Sequence, residues 1–186
     1  MGKIVLASSS PRRAAILKDY KLDIVPSPYL EKHTKADFSY SYVENLAYNK
    51  ALAVIPLLTE PALVVGADTV VVLGKEILEK PKDETDAFNM LKKLSNRTHI
   101  VVTAIAVINS ETKEYKIEST TSHVTFNELS DELIHFYINN YKPLDKAGSY
   151  GIQELPDGFI KNVEGDMENI IGISSKSFEK LIKEMS

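Results

Sequence analysis

The chain has 186 residues, 44% of them hydrophobic and 26% charged, with a formal net charge of −4. That is enough apolar material for one domain with a real core, here taken as residues 1–186. The negative balance argues against a protein that binds nucleic acid through its bulk field, and requires that any anionic substrate meet a local cationic pocket. The absence of cysteine excludes disulfides, zinc–thiolate centres and a cysteine nucleophile. No leader-like segment and no run of about 18 apolar residues is present, so a cytoplasmic protein with no membrane partner is expected.

Residues 4–7 form a short apolar run, read as a buried strand. Ser10 is a good N-cap and Pro11 suits the first helical position, so a helix is expected from there to about Tyr20. A strand ending at a helix N-terminus leaves free backbone N–H groups, a setting that favours anions. Residues 23–25 read as a strand and 26–40 as a polar loop over a cleft. Residues 42–58 carry Val43, Leu46, Ala47, Ala51 and Val54 at helical spacing, with Pro56 distorting the end. Residues 62–65 and 70–73 are β-branched runs flanking Gly66-Ala67-Asp68-Thr69. Residues 83–94 read as a helix whose end charges complement its dipole.

Residues 99–108 and 115–126 are rich in Val, Ile and Thr, with 109–114 as the hairpin connection. Residues 129–141 read as a helix capped by Ser130, 159–163 as a strand, and 175–185 as an amphipathic helix on Phe178, Leu181 and Ile182. Strands and helices without strict alternation point to a mixed α/β or α+β fold with a mixed sheet.

Four segments carry chemistry. Ser8-Ser9-Ser10-Pro11-Arg12-Arg13 combines hydroxyls, a helix start and two guanidinium groups, which suits a phosphate cradle or, equally, an ordinary cap with surface arginines. Asp68 lies in an apolar run, where an unpaired carboxylate is costly; it needs a metal or a cation, or it sits where a strand is interrupted at a cleft, unless it caps a turn for which Gly66 supplies the backbone freedom. Lys80, before Pro81, is extended and could reach a phosphate, although a solvated lysine explains it as well. Residues 144–153 pack two glycines, a charge pair and the Gln153 amide into ten positions, fit to hold a base or ribose, or to make a turn. His33, His99, His123 and His135 show no metal spacing and read as surface or strand residues.

Together these segments resemble the Maf family nearly end to end. The family's Ser-Pro-Arg-Arg pattern stands at Ser10 to Arg13, Gly-Ala-Asp-Thr at Gly66 to Thr69, and Glu-Lys-Pro at Glu79 to Pro81. Its Leu-Ser-Gly-x-Thr-His segment is similar to Leu94 to His99, its Asp-Lys-Ala-Gly-x-Tyr-Gly-Ile-Gln stretch stands at Asp145 to Gln153, and its late Gly and Asn-x-x-Gly at Gly165 to Gly172.

The resemblance implies a Maf/Ham1-like (ITPase-like) fold, a twisted mixed sheet in two lobes with a nucleotide cleft. It implies hydrolysis of nucleoside triphosphates between the α- and β-phosphates with a divalent cation such as Mg²⁺, Mn²⁺ or Co²⁺. It gives Asp68 the role of base, and phosphate-side roles to Ser8, Arg12, Arg13, Lys50 and Lys80. Glu31 matches an acidic metal-binding position, so the metal set is Asp68 and Glu31. Arg12, Thr69 and Gln153 become specificity positions, and the form of the Gln153 stretch resembles the dTTP/UTP branch. The alternatives are a 7-methyl-GTP pyrophosphatase and a non-catalytic cell-division regulator. The family resemblance also admits a homodimer. Two departures stand out: Leu30-Glu31 replaces a frequent acidic pair, and Gly172-Ile173-Ser174 replaces a frequent Gly-Leu-Pro.

Overall fold

The computed structural model describes residues 2–31 and 37–186. Residues 32–36, part of the expected loop, lie outside it, as does His33. The elements are β1 (Ile4–Leu6), α1 (Pro11–Ile16), β2 (Asp23–Ile24), α2 (Tyr40–Leu52), β3 (Leu63–Leu73), β4 (Glu76–Leu78), α3 (Glu84–Leu94), β5 (Thr98–Asn109), β6 (Tyr115–Phe126), α4 (Asp131–Tyr141), β7 (Ile160–Glu164), α5 (Met167–Ile171) and α6 (Ser175–Met185). They build one seven-stranded mixed sheet in the order β2-β1-β3-β5-β6-β7, with β4 beside the far end of β3. β1 runs parallel to β2 and β3, and the other pairings are antiparallel.

The long antiparallel ladder of β3, β5 and β6 corrects one expectation. Gly66 to Thr69 does not interrupt the strand. Those residues stay extended and pair in register with Ala106, Ile105, Ala104 and Thr103. β5 offers a continuous partner, so the glycine is not needed for a turn. The interruption lies on the opposite edge of β3. β1 stops pairing at Leu6 with Val65, and β4 begins at Leu78 with Val71. Between them residues 66–70 have a neighbour on one side only, and a gap opens in the sheet.

Strand alternation sorts β3 between two faces. Leu63, Val65 and Ala67 join a core with Phe178, Leu181 and Ile182 of α6. Val64 packs with Ala51 and Val54, and Val70 and Val72 pack with Val43 and Ala47, all on the α2 side. A further core gathers α3, α4 and the far ends of β5 and β6 around Leu91, Phe126 and Tyr137.

Helix ends differ from expectation where the reason is local. α1 stops at Ile16, and the Leu17 N–H bonds back to the Arg13 carbonyl at 3.1 Å while its side chain is fully buried. α2 ends at Leu52, and a separate 3-10 turn holds Pro56, which has no N–H to continue the ladder. β4 and α5, of three and five residues, are too short to leave a periodic signal.

His99 is a strand residue, as read, but not a surface one: it is 1% exposed. Its ring lies edge-on to Phe126 and Tyr150, and its Nε2 meets the Tyr150 hydroxyl at 2.7 Å. Its Nδ1 has no partner among the described residues.

One close approach fixes the helix over the site. A Cβ built on Gly66 would lie 2.1 Å from the Ala47 carbonyl oxygen and 2.7 Å from the Ala51 nitrogen, both backbone atoms of α2 that cannot swing aside. Gly66→Ala is therefore expected to lower stability by about 3 kcal/mol or to prevent folding, the upper end of overpacking costs. Chemical unfolding measures this, and a loss below about 1 kcal/mol would contradict the close approach.

Burial pulls the His99 pKa down to about 4 from an ordinary 6.5. The stability it contributes is complete above the unfolded value and is lost as pH falls towards the folded one. Across that window the unfolded chain takes up a proton that the folded chain refuses. The loss attributable to His99 should approach about 3 kcal/mol. Urea unfolding at roughly pH 7 and pH 4.5 should show a steeper loss for the parent chain than for His99→Gln, which has no titrating ring. Equal slopes would exclude His99 as the source.

Candidate active site

A cleft of about 640 Å³ opens at the gap beside β3. Ser8, Arg12, Arg13, Glu31, Lys50, Asp68, Thr69, Lys80 and Gln153 all line it, so the fold brings every expected site residue to one cavity. They come from separate pieces of chain. Ser8 follows β1, the arginines open α1, Glu31 lies in the loop after β2, and Lys50 ends α2. Asp68 and Thr69 sit on β3, Lys80 follows β4, and Gln153 lies in the 3-10 turn at Ile152–Glu154.

Asp68 is the centre. It is 6% exposed and shares the α2-facing side of β3 with Gly66. Its carboxylate pairs closely with the Lys50 ammonium, which meets Glu31 Oε1 at 2.6 Å on its other side. Burial pushes the Asp68 pKa above the ordinary carboxylate value, while Lys50 and then Arg13 pull against it. The result is a stronger base than a solvated aspartate, held in one orientation by a cation. Ser27 donates its hydroxyl to the Lys50 carbonyl at 2.8 Å, tying the Glu31 loop to the end of α2.

Thr69 faces the other side of the sheet. Arg13 Nη2 donates to its hydroxyl at 3.1 Å, Arg13 Nε to the Gly172 carbonyl at 2.9 Å, and Arg13 Nη1 to Ser8 Oγ at 3.4 Å. A guanidinium has five N–H groups, so two remain for a ligand. Burial draws the Arg13 pKa below its ordinary value, and the charge of Asp68 opposes the shift. The Gly172 carbonyl is fixed from below. Asn169 is fully buried, with Oδ1 accepting from the Thr103 N–H at 3.0 Å and Nδ2 donating to the Val101 carbonyl and to Ser122 Oγ. Thr103 and Thr69 share a hydroxyl hydrogen bond of 2.8 Å. Asn169 was legible only through the Asn-x-x-Gly pattern; nothing in its own surroundings marks a buried bracket.

On the far wall Lys80 is exposed and makes no ion pair with any described residue. Gln153 is exposed, and its amide makes no hydrogen bond with any described residue. Both are free to meet a ligand. Lys146 lines the same wall and is 8% exposed, a buried cation that sequence reasoning gave no role beyond a charge pair.

The charged lining consists of Arg12, Arg13, Lys50, Lys80 and Lys146 against Glu31, Asp68, Glu79 and Asp145. The walls are thus close to neutral, and a polyphosphate would bring more charge than they balance. Glu31 and Asp68 present hard oxygen donors on either side of one ammonium, a place already organised around a positive charge. Among the described residues no group of three or more His, Cys, Asp or Glu is arranged to hold a metal. A two-carboxylate set suits an ion such as Mg²⁺, which keeps waters and takes substrate phosphates as its other ligands.

No helix among the described residues is long and apolar enough to cross a membrane. The dTTP/UTP pyrophosphatase of Clostridium novyi (strain NT) is 39% identical, over 98% of this chain and 97% of that protein. The dTTP/UTP pyrophosphatase of Thermosipho africanus (strain TCF52B) is 44% identical, over 92% and 87%. Among solved structures, the Staphylococcus aureus Ham1 protein superposes with a TM-score of 0.52 at 16% identity, over 99% of this chain and all of that one, and so shares the fold. The family described as Maf-like protein matches residues 3–185, and the chain belongs to the Maf family.

Proposed function

We propose that the chain is a nucleoside triphosphate pyrophosphatase that cleaves dTTP and UTP to the monophosphate and pyrophosphate. The observation that carries this is the buried Asp68 carboxylate, held by Lys50 at the edge of a cleft whose other walls supply cations and a free amide. The relatives named dTTP/UTP pyrophosphatase support it.

Asp68 accepts a proton from a water whose oxygen attacks the α-phosphorus. The bond from that phosphorus to the bridging oxygen breaks, and pyrophosphate leaves. Lys50 holds Asp68 in position and opposes the rise that burial gives its pKa. Arg13, Lys80 and the Ser8 hydroxyl bind phosphate oxygens and stabilise charge on the leaving group. Glu31 and Asp68 would hold a divalent cation, which would supply the remaining charge neutralisation at the phosphates. The setting we assign is the cytoplasm, where nucleotide pools need clearing.

Gln153 carries the base preference, with Arg12 and Thr69 as further specificity positions in the same cleft. An amide offers a donor and an acceptor, and so can match both O4 and N3–H of uracil or thymine. A glutamate in its place would be acceptor-only when ionised, suited to the N1–H and amino donors of a guanine edge but facing the O4 acceptor of a pyrimidine. kcat/KM for dTTP and UTP should exceed that for dGTP, dATP and 7-methyl-GTP by roughly tenfold or more. Pyrophosphate release across a triphosphate panel measures it, with Asp68→Asn as the control that ties turnover to this cleft, at a loss of about 100-fold or more. Equal turnover of purines would overturn the pyrimidine assignment and leave the pyrophosphatase reading standing; no turnover of any triphosphate would favour a regulatory binding protein.

The near-neutral wall and the two-carboxylate set lead to a separate expectation. Activity should disappear in excess EDTA and return on adding Mg²⁺, Mn²⁺ or Co²⁺. Undiminished turnover in the chelator would show that the side chains alone manage the phosphate charge.

A further inference from the structure

The far wall of the cleft is a loop whose order needs a cause. Residues 145–154 contain three short 3-10 turns or their ends and two glycines, yet Gln153 must stand in one place to read a base. Four hydrogen bonds tie this loop to the rest of the fold. The Gly148 N–H donates to the Glu79 carbonyl at 3.1 Å, the Ser149 hydroxyl to Met90 Sδ at 3.1 Å, the Gly151 N–H to the Tyr137 hydroxyl at 3.1 Å, and the Tyr150 hydroxyl meets His99. All four act on residues 148–151, and Ile152 packs against the core; none acts on the Gln153 side chain.

A further tie is Lys146. Its ammonium donates to Asp145 Oδ1 at 2.9 Å and forms an ion pair at 3.2 Å with Glu154 Oε2, on the residue next to Gln153, an oxygen that accepts no hydrogen bond from any described residue. Asp145 in turn meets Arg12 Nη1 through Oδ2 at 3.4 Å. The four charges form one chain from Arg12 on α1 to the turn that carries Gln153. The lysine stem runs beneath Gly151: a Cβ there would lie 3.0 Å from Lys146 Cε and 3.1 Å from Cδ. A side chain at 151 would press on the stem, which would have to give by a few tenths of an ångström.

We propose that Lys146 is a positioning residue for base selection: its ammonium, clamped between Asp145 and Glu154, sets Arg12 and Gln153 at a fixed separation across the nucleoside end of the cleft. The proposal rests on the reading of the cleft as a nucleotide site. Lys146 does not itself touch the substrate. Its charge is engaged by two carboxylates and its stem is covered, whereas Lys80, with no ion pair to any described residue, is the lysine open to phosphate.

The test separates the two ends of the ligand. Isothermal titration at a fixed Mg²⁺ concentration measures the affinity for UMP, which carries the base, and for pyrophosphate, which does not. Lys146→Met keeps the stem and removes the charge. It is expected to weaken UMP about tenfold while leaving pyrophosphate within about twofold, and to reduce the dTTP-to-dGTP ratio of kcat/KM by a similar factor. Glu154→Gln leaves Lys146 and Asp145 in place and should show a smaller loss in the same direction, so the proposal stays testable if Lys146→Met does not fold. Equal weakening of both ligands would mean that Lys146 contacts phosphate and would overturn the positioning role, as would an unchanged UMP affinity in both variants. A parent chain that hydrolyses no triphosphate would instead remove the nucleotide reading on which the proposal stands, before any variant is made.

Discussion

The Lys50–Asp68 ion pair is the interaction around which the molecule is arranged. A carboxylate in the middle of an eleven-residue strand buried on both faces is tolerable only beside a fixed cation. The cation comes from α2, and its reach is set by how near that helix lies to the strand. Two residues before Asp68, Gly66 removes the Cβ that would hold the helix away. The glycine, the lysine and the aspartate are one device. Burial of the aspartate raises its pKa and its basicity, and the lysine limits how far that rise can go.

A gap in the sheet turns this device into a site. Because β1 leaves β3 before β4 arrives, the edge of residues 66–70 is open, and alternate side chains leave it in opposite directions. Asp68 goes to the α2 side with Lys50 and Glu31. Thr69 goes to the α5 side with Arg13 and Gly172. A ligand lying along the edge meets the basic carboxylate from one face and the guanidinium from the other. The Asn169 bracket, which joins α5 to both β5 and β6, keeps the second face as rigid as the first.

Much of this was legible in the sequence, for identifiable reasons. β6 and α6 were read to the residue because β-branched runs and an amphipathic stripe mark whole elements. Ser10 and Ser130 both cap as expected, since a hydroxyl before a helix leaves a local signature. The continuity of β3 was not legible. A glycine beside an aspartate reads as a turn, and only the register with β5 shows that it marks close approach instead. All nine expected site residues reach the cleft; the hydroxyl–arginine run, Asp68, Lys80 and Gln153 stand out in the sequence itself, whereas Glu31, Lys50 and Thr69 follow only from the family resemblance. His99, Asn169 and Lys146 were missed or undervalued for the opposite reason. A buried polar side chain is recognised by its partners, and those lie tens of residues away: Tyr150 for His99, Thr103 and Ser122 for Asn169.

The charge pattern of the cleft has a consequence for selectivity. Lys50 and Arg12 each meet a carboxylate of the protein. An anion that binds there must share the cation with that carboxylate or replace it, so a single phosphate gains little. A polyphosphate can engage several cations together, and a ligand that also satisfies the Gln153 amide gains at a point where nothing has to be displaced. Near-neutral walls therefore discriminate among anions better than a strongly basic pocket, which would take up any of them. In a chain of net charge −4, the pull on a nucleotide comes from the placement of a few groups rather than from the field of the whole. That places the burden of recognition on the geometry of the far wall, where Lys80 and the Gln153 amide stand without a partner among the described residues.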